Sequence, residues 1–290
     1  MRNFLVIARV GKSKILMVSK IIRVLAAQPD TTVTLLTDKT NLPYFVHSRH
    51  LTRIISSTEN LSSYKFDNIV DLDESGEGDE LAKRLNLKVN KANSSIFKRL
   101  LNIFKSPETQ QQQYFSKVAP YGVKDDERGL YFNLSPDEMP GPNDLPLSHT
   151  AGFIAIAISE NNPLSAEKIN AITEQLKFPV LIAGDGGTNH FSINRHEGRV
   201  YDAVGKFNFQ ETMHLLKMAR GVITTPSDYQ MLVQAVGQKL VLVDGDSKNN
   251  ELWGFYDSRL LANGKEKMMQ IVSSTDAGVI AKYAMALATG

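Results

Sequence analysis

The chain has 290 residues, 42% of them hydrophobic and 22% charged, and its formal net charge is +2. This length predicts two domains or one large one, and the near balance of charges gives no reason to expect nucleic acid as the main partner. Cysteine is absent, which excludes disulfides, thiolate metal sites and a cysteine nucleophile. The first apolar run is too short for a signal peptide, and no run of about 18 apolar residues follows, so we expect a cytoplasmic protein.

The first half of the chain alternates short apolar runs with a helical pattern. Buried strands are predicted at residues 4–8, 32–36, 51–56 and 68–72. An amphipathic helix is predicted after the first of these strands, with Ile15 and Ile22 on its apolar face, and a second helix is predicted at residues 92–104. Four prolines within residues 134–149 predict an interdomain linker, because proline disfavours both helix and sheet.

The second half shows the alternation more clearly. Strands are predicted at residues 153–158, 180–183, 222–224 and 240–243. Helices are predicted after Ser165 and Ser227, which can cap them, and a further helix is predicted at residues 208–220. Strands and helices that alternate at this short spacing are typical of a doubly wound parallel sheet.

The two halves together predict an α/β fold with two Rossmann-like, doubly wound domains facing a cleft. We expect an N-terminal domain at residues 1–147 and a C-terminal domain at residues 148–290. Open α/β sheets bind their ligands outside the carboxyl ends of the strands, so the loops that follow the strands are the places to look for a site.

Two loops of the second half are candidate binding sites for a diphosphate. Gly184, Gly186 and Gly187 follow a strand, and glycines let backbone N–H groups approach an anion closely; the alternative is a plain strand-to-helix loop. Thr225, Ser227 and Asp228 lie where a strand passes into a helix, whose N-terminus attracts anions. The alternative there is ordinary helix capping, with Asp228 already in the first turn.

Two loops of the first half carry charged candidates. Gly11, Lys12, Ser13 and Lys14 follow the first strand, where the lysines would hold a phosphate or an anionic sugar; the alternative is a solvated turn.

Asp71 and Asp73 share one face at the end of a strand, where they would form a paired-carboxylate site; the alternative is a polar strand terminus.

The six histidines show no metal-ligand spacing, so we expect no metal site. An anionic acceptor or the surface of the inner membrane would be held by a basic lip of four residues: Lys12, Lys14, Lys20 and Arg23.

Six segments along the chain carry a family resemblance: residues 4–11, 68–73, 201–206, 219–225, 235–243 and 253–256. In these segments the chain resembles glycosyltransferase family 9, the ADP-heptose:lipopolysaccharide heptosyltransferases, and in particular a divergent, shorter Bacteroidetes type. The resemblance implies a GT-B-like fold with an N-terminal acceptor-side domain and a C-terminal donor-side domain. It also implies a nucleotide-sugar donor, an ADP-sugar in the family, a glycan or lipid acceptor of the cell envelope, and no cofactor.

The chain departs from the family at its functional positions. The position of the family's base aspartate aligns with about Lys14 of this chain. A protonated lysine cannot take a proton from the acceptor hydroxyl. Residues 226–228 (Pro-Ser-Asp) replace the family's Asp-(Ser/Thr)-Gly beside the donor diphosphate, and Met231 replaces its histidine. Residues 159–162 hold no counterpart of the family's basic residue.

Three functions are compatible with this pattern, and whether the chain is an enzyme stays open. The first is a pseudo-glycosyltransferase of cell-envelope glycan synthesis that has lost its catalytic site. The second is an active sugar-nucleotide transferase with a relocated base, for which Asp71 and Asp73 are the candidates. The third is a non-catalytic ligand-binding or scaffold protein with a protein partner. At most, peripheral contact with the inner membrane is expected.

Overall fold

The computed structural model describes residues 1–73, 76–87, 110–141, 143–160, 164–184, 198–243, 269–272 and 276–289. The chain divides into two compact units, Met1–Asn133 and Leu134–Gly290. The boundary predicted after residue 147 lies inside the second unit, and the helix predicted at residues 92–104 lies outside the described part. None of the described helices is both long and apolar enough to cross a bilayer.

The first unit is built on a parallel sheet whose strand order is β3-β2-β1-β4. The strands are β1 (Arg2–Ile7), β2 (Thr31–Leu36), β3 (Arg53–Ile55) and β4 (Asn68–Asp71). The helices are α1 (Lys12–Ala26), α2 (Glu77–Arg84) and α3 (Gln110–Val118). All four strands lie where the apolar runs predict them.

Burial explains why these segments form strands and helices. Leu5, Ile7 and Leu36 are fully buried and belong to one hydrophobic cluster, as expected for strands covered on both faces. Ile15 and Ile22, the predicted apolar positions of α1, are also fully buried, which confirms the face that the helix turns toward the core.

The second unit carries a larger parallel sheet, with the described strands in the order β10-β9-β8-β5-β6-β7. These strands are β5 (Ile154–Ile158), β6 (Val180–Gly184), β7 (Val200–Asp202), β8 (Gly221–Thr224), β9 (Leu240–Val243) and β10 (Met269–Val272). Its helices are α4 (Ala166–Gln175), α5 (Phe209–Met218), α6 (Asp228–Ala235) and α7 (Ala277–Thr289). Numbered from β5, the order is 3-2-1-4-5-6, that of a doubly wound Rossmann sheet.

Helix capping in the second unit follows local sequence signals. The Ser165 side chain accepts a hydrogen bond from the Lys168 amide at 3.2 Å, so the predicted cap of α4 is confirmed. Asn208 and Glu211 form a capping box at the start of α5. Gly237 has a φ of 71°, the left-handed conformation that ends α6.

The proline-rich segment predicted to be a linker is packed onto the second unit instead. It contains two short 3-10 helices, Pro136–Glu138 and Leu147–His149. His214 of α5 donates a hydrogen bond from Nε2 to the Ser135 carbonyl at 2.6 Å. The His149 ring is buried, with its Nε2 atom 3.0 Å from the Val180 carbonyl oxygen. These contacts explain why the division between the units falls before residue 134.

Candidate functional site

The topological switch point of the second unit lies between β5 and β8. These two strands are neighbours, and the connections from them run to opposite halves of the sheet. Ser159 directly follows β5, and residues 225–228 directly follow β8. In open α/β sheets this crevice, outside the carboxyl ends of the strands, is the place where ligands bind. The predicted donor residues Thr225, Ser227 and Asp228 therefore lie at the switch point.

Asp228 is held at this switch point by an internal hydrogen bond. The Ser159 hydroxyl donates to the Asp228 Oδ1 atom at 2.8 Å, and both residues are at most 5% exposed. A hydroxyl that donates to a carboxylate forms one of the stronger kinds of protein hydrogen bond. The Asp228 carboxyl group is thus fixed in the first turn of α6.

Two hydroxyls, one in the β8–α6 turn (residues 225–228) and one at the end of β8, are also directed to the backbone. Ser227 does not cap α6 through its side chain, because its hydroxyl donates to the Thr225 carbonyl at 3.0 Å. The Thr224 hydroxyl donates to the Ala157 carbonyl of β5 at 2.8 Å. The prediction that Ser227 precedes the helix is confirmed, whereas its expected side-chain cap is not formed.

The electrostatics of this turn disfavour a bound anion. The N-terminus of a helix carries a partial positive charge that attracts anions, and a carboxylate in the first turn satisfies the same attraction. Asp228 supplies that carboxylate. Met231, in the same helix, is fully buried. An incoming diphosphate at α6 would therefore find the first turn already occupied by an acidic side chain, and it would gain no contact from the buried Met231.

Gly184, another predicted donor residue, is required by the packing of the sheet. Its φ is 141°, and a Cβ atom at this position would overlap the carbonyl oxygen of Ile158 on the neighbouring strand. Glycine is therefore needed for the close approach of β6 to β5, whether or not a ligand binds. Gly186 and Gly187 lie outside the described residues.

The switch point of the first unit lies between β1 and β4. The loop after β1 leads to Gly11, which stands at the N-cap of α1 and accepts a hydrogen bond from the Lys14 amide at 2.9 Å. The Lys14 side chain is exposed, and the side chains of Lys12 and Ser13 lie outside the described part. Residues 12–14 therefore form the first turn of α1 rather than a separate loop, and the binding role of residues 11–14 stays a prediction.

Asp71 and Asp73 are brought together at the end of β4. Asp71 Oδ1 accepts from the Asp73 amide, and Asp71 Oδ2 accepts from the Gly78 amide of α2, each at 3.1 Å. Burial raises the pKa of the Asp71 carboxyl, and a hydrogen bond and charge repulsion from the Asp73 carboxyl raise it further. A raised pKa brings the Asp71 carboxyl closer to the range that suits a general base.

Two members of the predicted basic lip are buried in ion pairs and cannot form a basic surface. Lys20 Nζ lies 2.8 Å from an Asp125 carboxylate oxygen. Arg23 forms a two-point contact with Asp126, with both nitrogen–oxygen distances at 2.9 Å. Both cations are at most 8% exposed, so they anchor residues 125–126 to α1 rather than a ligand.

Sequence reasoning missed the partner of Asp228. Ser159 appears in the sequence only as the first residue of a loop that lacks a basic side chain. The signal that identifies it is topological: in the order 3-2-1-4-5-6 the first and fourth strands are adjacent, so the residues after them meet.

Among the described residues, no group of three or more acidic or histidine side chains is placed to hold a metal ion.

Comparison with solved structures identifies the class of fold. A glycosyl transferase family 9 protein from Veillonella parvula DSM 2008 matches with a TM-score of 0.69 at 15% identity, over 98% of this chain and 89% of its own. E. coli ADP-heptose lipopolysaccharide heptosyltransferase II matches with a TM-score of 0.67 at 13% identity, over 100% and 99%. E. coli heptosyltransferase WaaC with ADP matches with a TM-score of 0.65 at 12% identity, over 98% and 99%.

These matches show that the chain has the GT-B-like α/β fold with two Rossmann-like domains. The fold implied by the sequence resemblance to glycosyltransferase family 9 is thereby confirmed. No family model and no curated protein sequence matches the chain. At such low identities the likeness shows the fold alone, and function has to be argued from the residues at the two switch points.

Proposed function

We propose that this protein is a heptosyltransferase-like member of the cell-envelope glycan machinery that has lost sugar transfer. One observation carries the proposal: the Ser159–Asp228 hydrogen bond fills the turn at the start of α6 with a fixed carboxylate. A transferase needs that turn to stabilise the negative charge of the departing nucleoside diphosphate. A negative side chain in that turn would repel the departing diphosphate instead of stabilising it.

The N-terminal unit supports the proposal independently. Lys14 is exposed in the first turn of α1, near the position where the family carries its base. An ordinary lysine is protonated near neutral pH and cannot accept a proton. The base and the diphosphate clamp act by different mechanisms, so the loss of both is not a consequence of one local change. The surviving role is then to bind a ligand or a protein partner through the GT-B scaffold.

Calorimetric titration with ADP, GDP, UDP and CDP tests the proposal. The wild-type protein is expected to bind none of them at millimolar concentration. Asp228→Asn removes the charge while its amide oxygen still accepts from Ser159, and we expect it to gain at least about tenfold in ADP affinity. Asp137→Asn, an exposed aspartate in the same unit, is the control and should gain nothing. Tight binding by the wild type, with Asp228→Asn no better, would contradict the proposal.

A second candidate function is favoured by the Asp71–Asp73 pair. A carboxyl with a raised pKa at the switch point of the first unit is suited to accept a proton from an acceptor hydroxyl. On this alternative the chain is an active transferase with a relocated base and an ADP-sugar as donor. Release of ADP from an ADP-sugar, with water as acceptor, should then depend on the pair.

The variant Asp71→Asn separates the two candidates. If the chain is active, this variant loses ADP release while Asp67→Asn, an exposed carboxylate whose Oδ2 accepts from the Asn3 amide, retains it. If the chain has lost transfer, wild type and both variants release ADP no faster than buffer alone.

A further inference from the structure

A cavity of about 430 Å³ in the first unit lies apart from the switch point of that unit. Its lining includes Ser62, Tyr64, Lys65, Phe66, Arg84 and Leu87, and we name it the Tyr64 cavity. The lining residues precede β4 or end α2, so the cavity is at the edge where β4 begins. Asp71 is at the other end of that strand. The volume falls within the range of small-molecule sites, about 300–1,000 Å³.

The lining of the Tyr64 cavity combines an apolar floor with a positive rim. Phe66 is buried beneath it, and Leu85 and Leu87 add aliphatic surface. Lys65 and Arg84 are the charged residues of the lining, and it contains no acidic side chain among the residues described. Two positive side chains in a lining without an acidic side chain favour an anion over a cation or a neutral sugar.

Contacts within the unit hold the polar groups of the rim in place. Arg84 donates from Nη2 to the Thr58 carbonyl at 2.6 Å, which fixes the guanidinium while further N–H groups of its planar fork remain for a ligand. The Arg53 guanidinium lies 4.0 Å from the centre of the Tyr64 ring. This cation–π contact fixes the aromatic wall of the cavity, so the site is formed before a ligand arrives.

We propose that the Tyr64 cavity is a binding site for an organic anion with a phosphate or carboxylate head and an apolar body. The head would be bound by Lys65 and Arg84, and the body would pack on Phe66, Leu85 and Leu87. This site is independent of the switch point of the first unit, because it lies at the opposite end of β4 and is built from residues that take no part in that switch point.

The experiment uses phenyl phosphate as the probe and the amide NMR spectrum of the full-length protein as the readout. Saturable shifts are expected at the amides of Ser62, Tyr64 and Lys65. Arg84→Gln should weaken binding by about tenfold, because a charge-assisted hydrogen bond is lost. Lys83→Gln makes the same change of charge at the exposed neighbouring residue of α2, outside the lining, and should bind as the wild type does.

Further arms cover the remaining outcomes. Lys65→Gln repeats the test at an exposed rim residue if Arg84→Gln alters the fold. Vesicles of phosphatidylcholine with phosphatidic acid identify the source of the anion: sedimentation that depends on Arg84 assigns a lipid head group, and phenyl phosphate binding without sedimentation assigns a soluble anion. The proposal is overturned if phenyl phosphate moves none of these amides, or if Lys83→Gln weakens binding as much as Arg84→Gln.

Discussion

Each switch point has an aspartate, Asp71 at the end of β4 in the first unit and Asp228 in the first turn of α6 in the second, and the two aspartates have different neighbours. In the second unit Asp228 accepts a hydrogen bond from the Ser159 hydroxyl at the β8–α6 turn. In the first unit Asp71 lies beside a second carboxyl, that of Asp73, and its pKa is raised. A hydroxyl donor fixes the orientation of Asp228, whereas burial and the neighbouring Asp73 carboxyl raise the pKa of Asp71. We therefore expect the turn at Asp228 to disfavour anions and the turn at Asp71 to exchange protons.

Gly184→Ala should have the largest effect, because it disrupts the close approach of β6 to β5. The new Cβ atom would overlap the Ile158 carbonyl oxygen, and the φ of 141° is strained for any L side chain. We expect a loss of about 3 kcal/mol in the free energy of unfolding, measured by urea denaturation.

Gly205→Ala is the matched control for that variant. Its φ of 69° is also positive, but nothing lies within 4 Å of the added Cβ atom. It should lose only about 1 kcal/mol, from backbone strain alone. Equal losses in both variants would show that strain, and not the approach of β6 to β5, explains the glycine at position 184.

A double-mutant cycle of Ser159→Ala and Asp228→Ala measures the coupling energy between the two side chains that the hydrogen bond joins. Each single variant should destabilise the protein by about 1–3 kcal/mol, because a buried polar group loses its partner. The double variant should lose less than the sum, with a coupling of about 1–2 kcal/mol. Additive losses in urea denaturation would mean that the hydrogen bond does not hold Asp228.

His149 gives the second unit a stability that rises with pH. Burial lowers the pKa of its imidazole, so the unfolded chain binds the proton more readily than the folded protein does. Its contribution is present above the ordinary value of 6.5 and is lost as the pH falls through that value toward the lowered one. The free-energy difference between wild type and His149→Gln should thus be smaller at pH 5 than at pH 7.5. A constant difference would contradict this assignment.

Asp71 gives the first unit the opposite slope, with a smaller magnitude. A carboxyl whose pKa is raised on folding favours the folded state below its ordinary value of 3.8, and this contribution is lost as the pH rises through the raised value. Asp73→Asn removes the neighbouring charge and should lower the pKa of Asp71, which a carbon-detected NMR titration measures directly.

The stability of the Asp73→Asn variant should follow from that lowered pKa. Relative to the wild type it should gain under about 1 kcal/mol near pH 7 and less near pH 3, since solvent screens a half-exposed carboxyl. An unchanged pKa of Asp71 in the variant would show that burial alone raises it.

Local sequence pattern was enough to predict most strands of the two sheets, but not the edge strands β7 and β10 of the second sheet. Strands such as β1 and β5 are continuous apolar runs, and the sequence locates them within two residues. β7 has three residues, of which only Val200 is buried, so it leaves no recognisable pattern. The alanine-rich helix α7 and the strand β10 were also missed; in α7 the buried face is made largely of small residues.

The candidate sites were harder to predict because their contacts join distant parts of the chain. Ser159 and Asp228 are 69 positions apart, and Lys20 and Asp125 are 105 apart. A lysine looks like a surface residue until its partner is known, so the basic lip was wrong at Lys20 and Arg23. Asp71 and Asp73, in contrast, are close in sequence, and strand alternation was enough to bring them together.

The central claim is that the β8–α6 turn does not admit a diphosphate. The most direct test is to follow single amide signals of this turn during a titration with ADP. The amide NMR signals of Thr225, Ser227 and Asp228 should stay unchanged in the wild type up to millimolar ADP and should move in Asp228→Asn. This result would locate the block to nucleotide binding at the carboxylate. Saturable shifts of the same three amides in the wild type would contradict the account, because they would show that the turn admits a diphosphate with Asp228 in place.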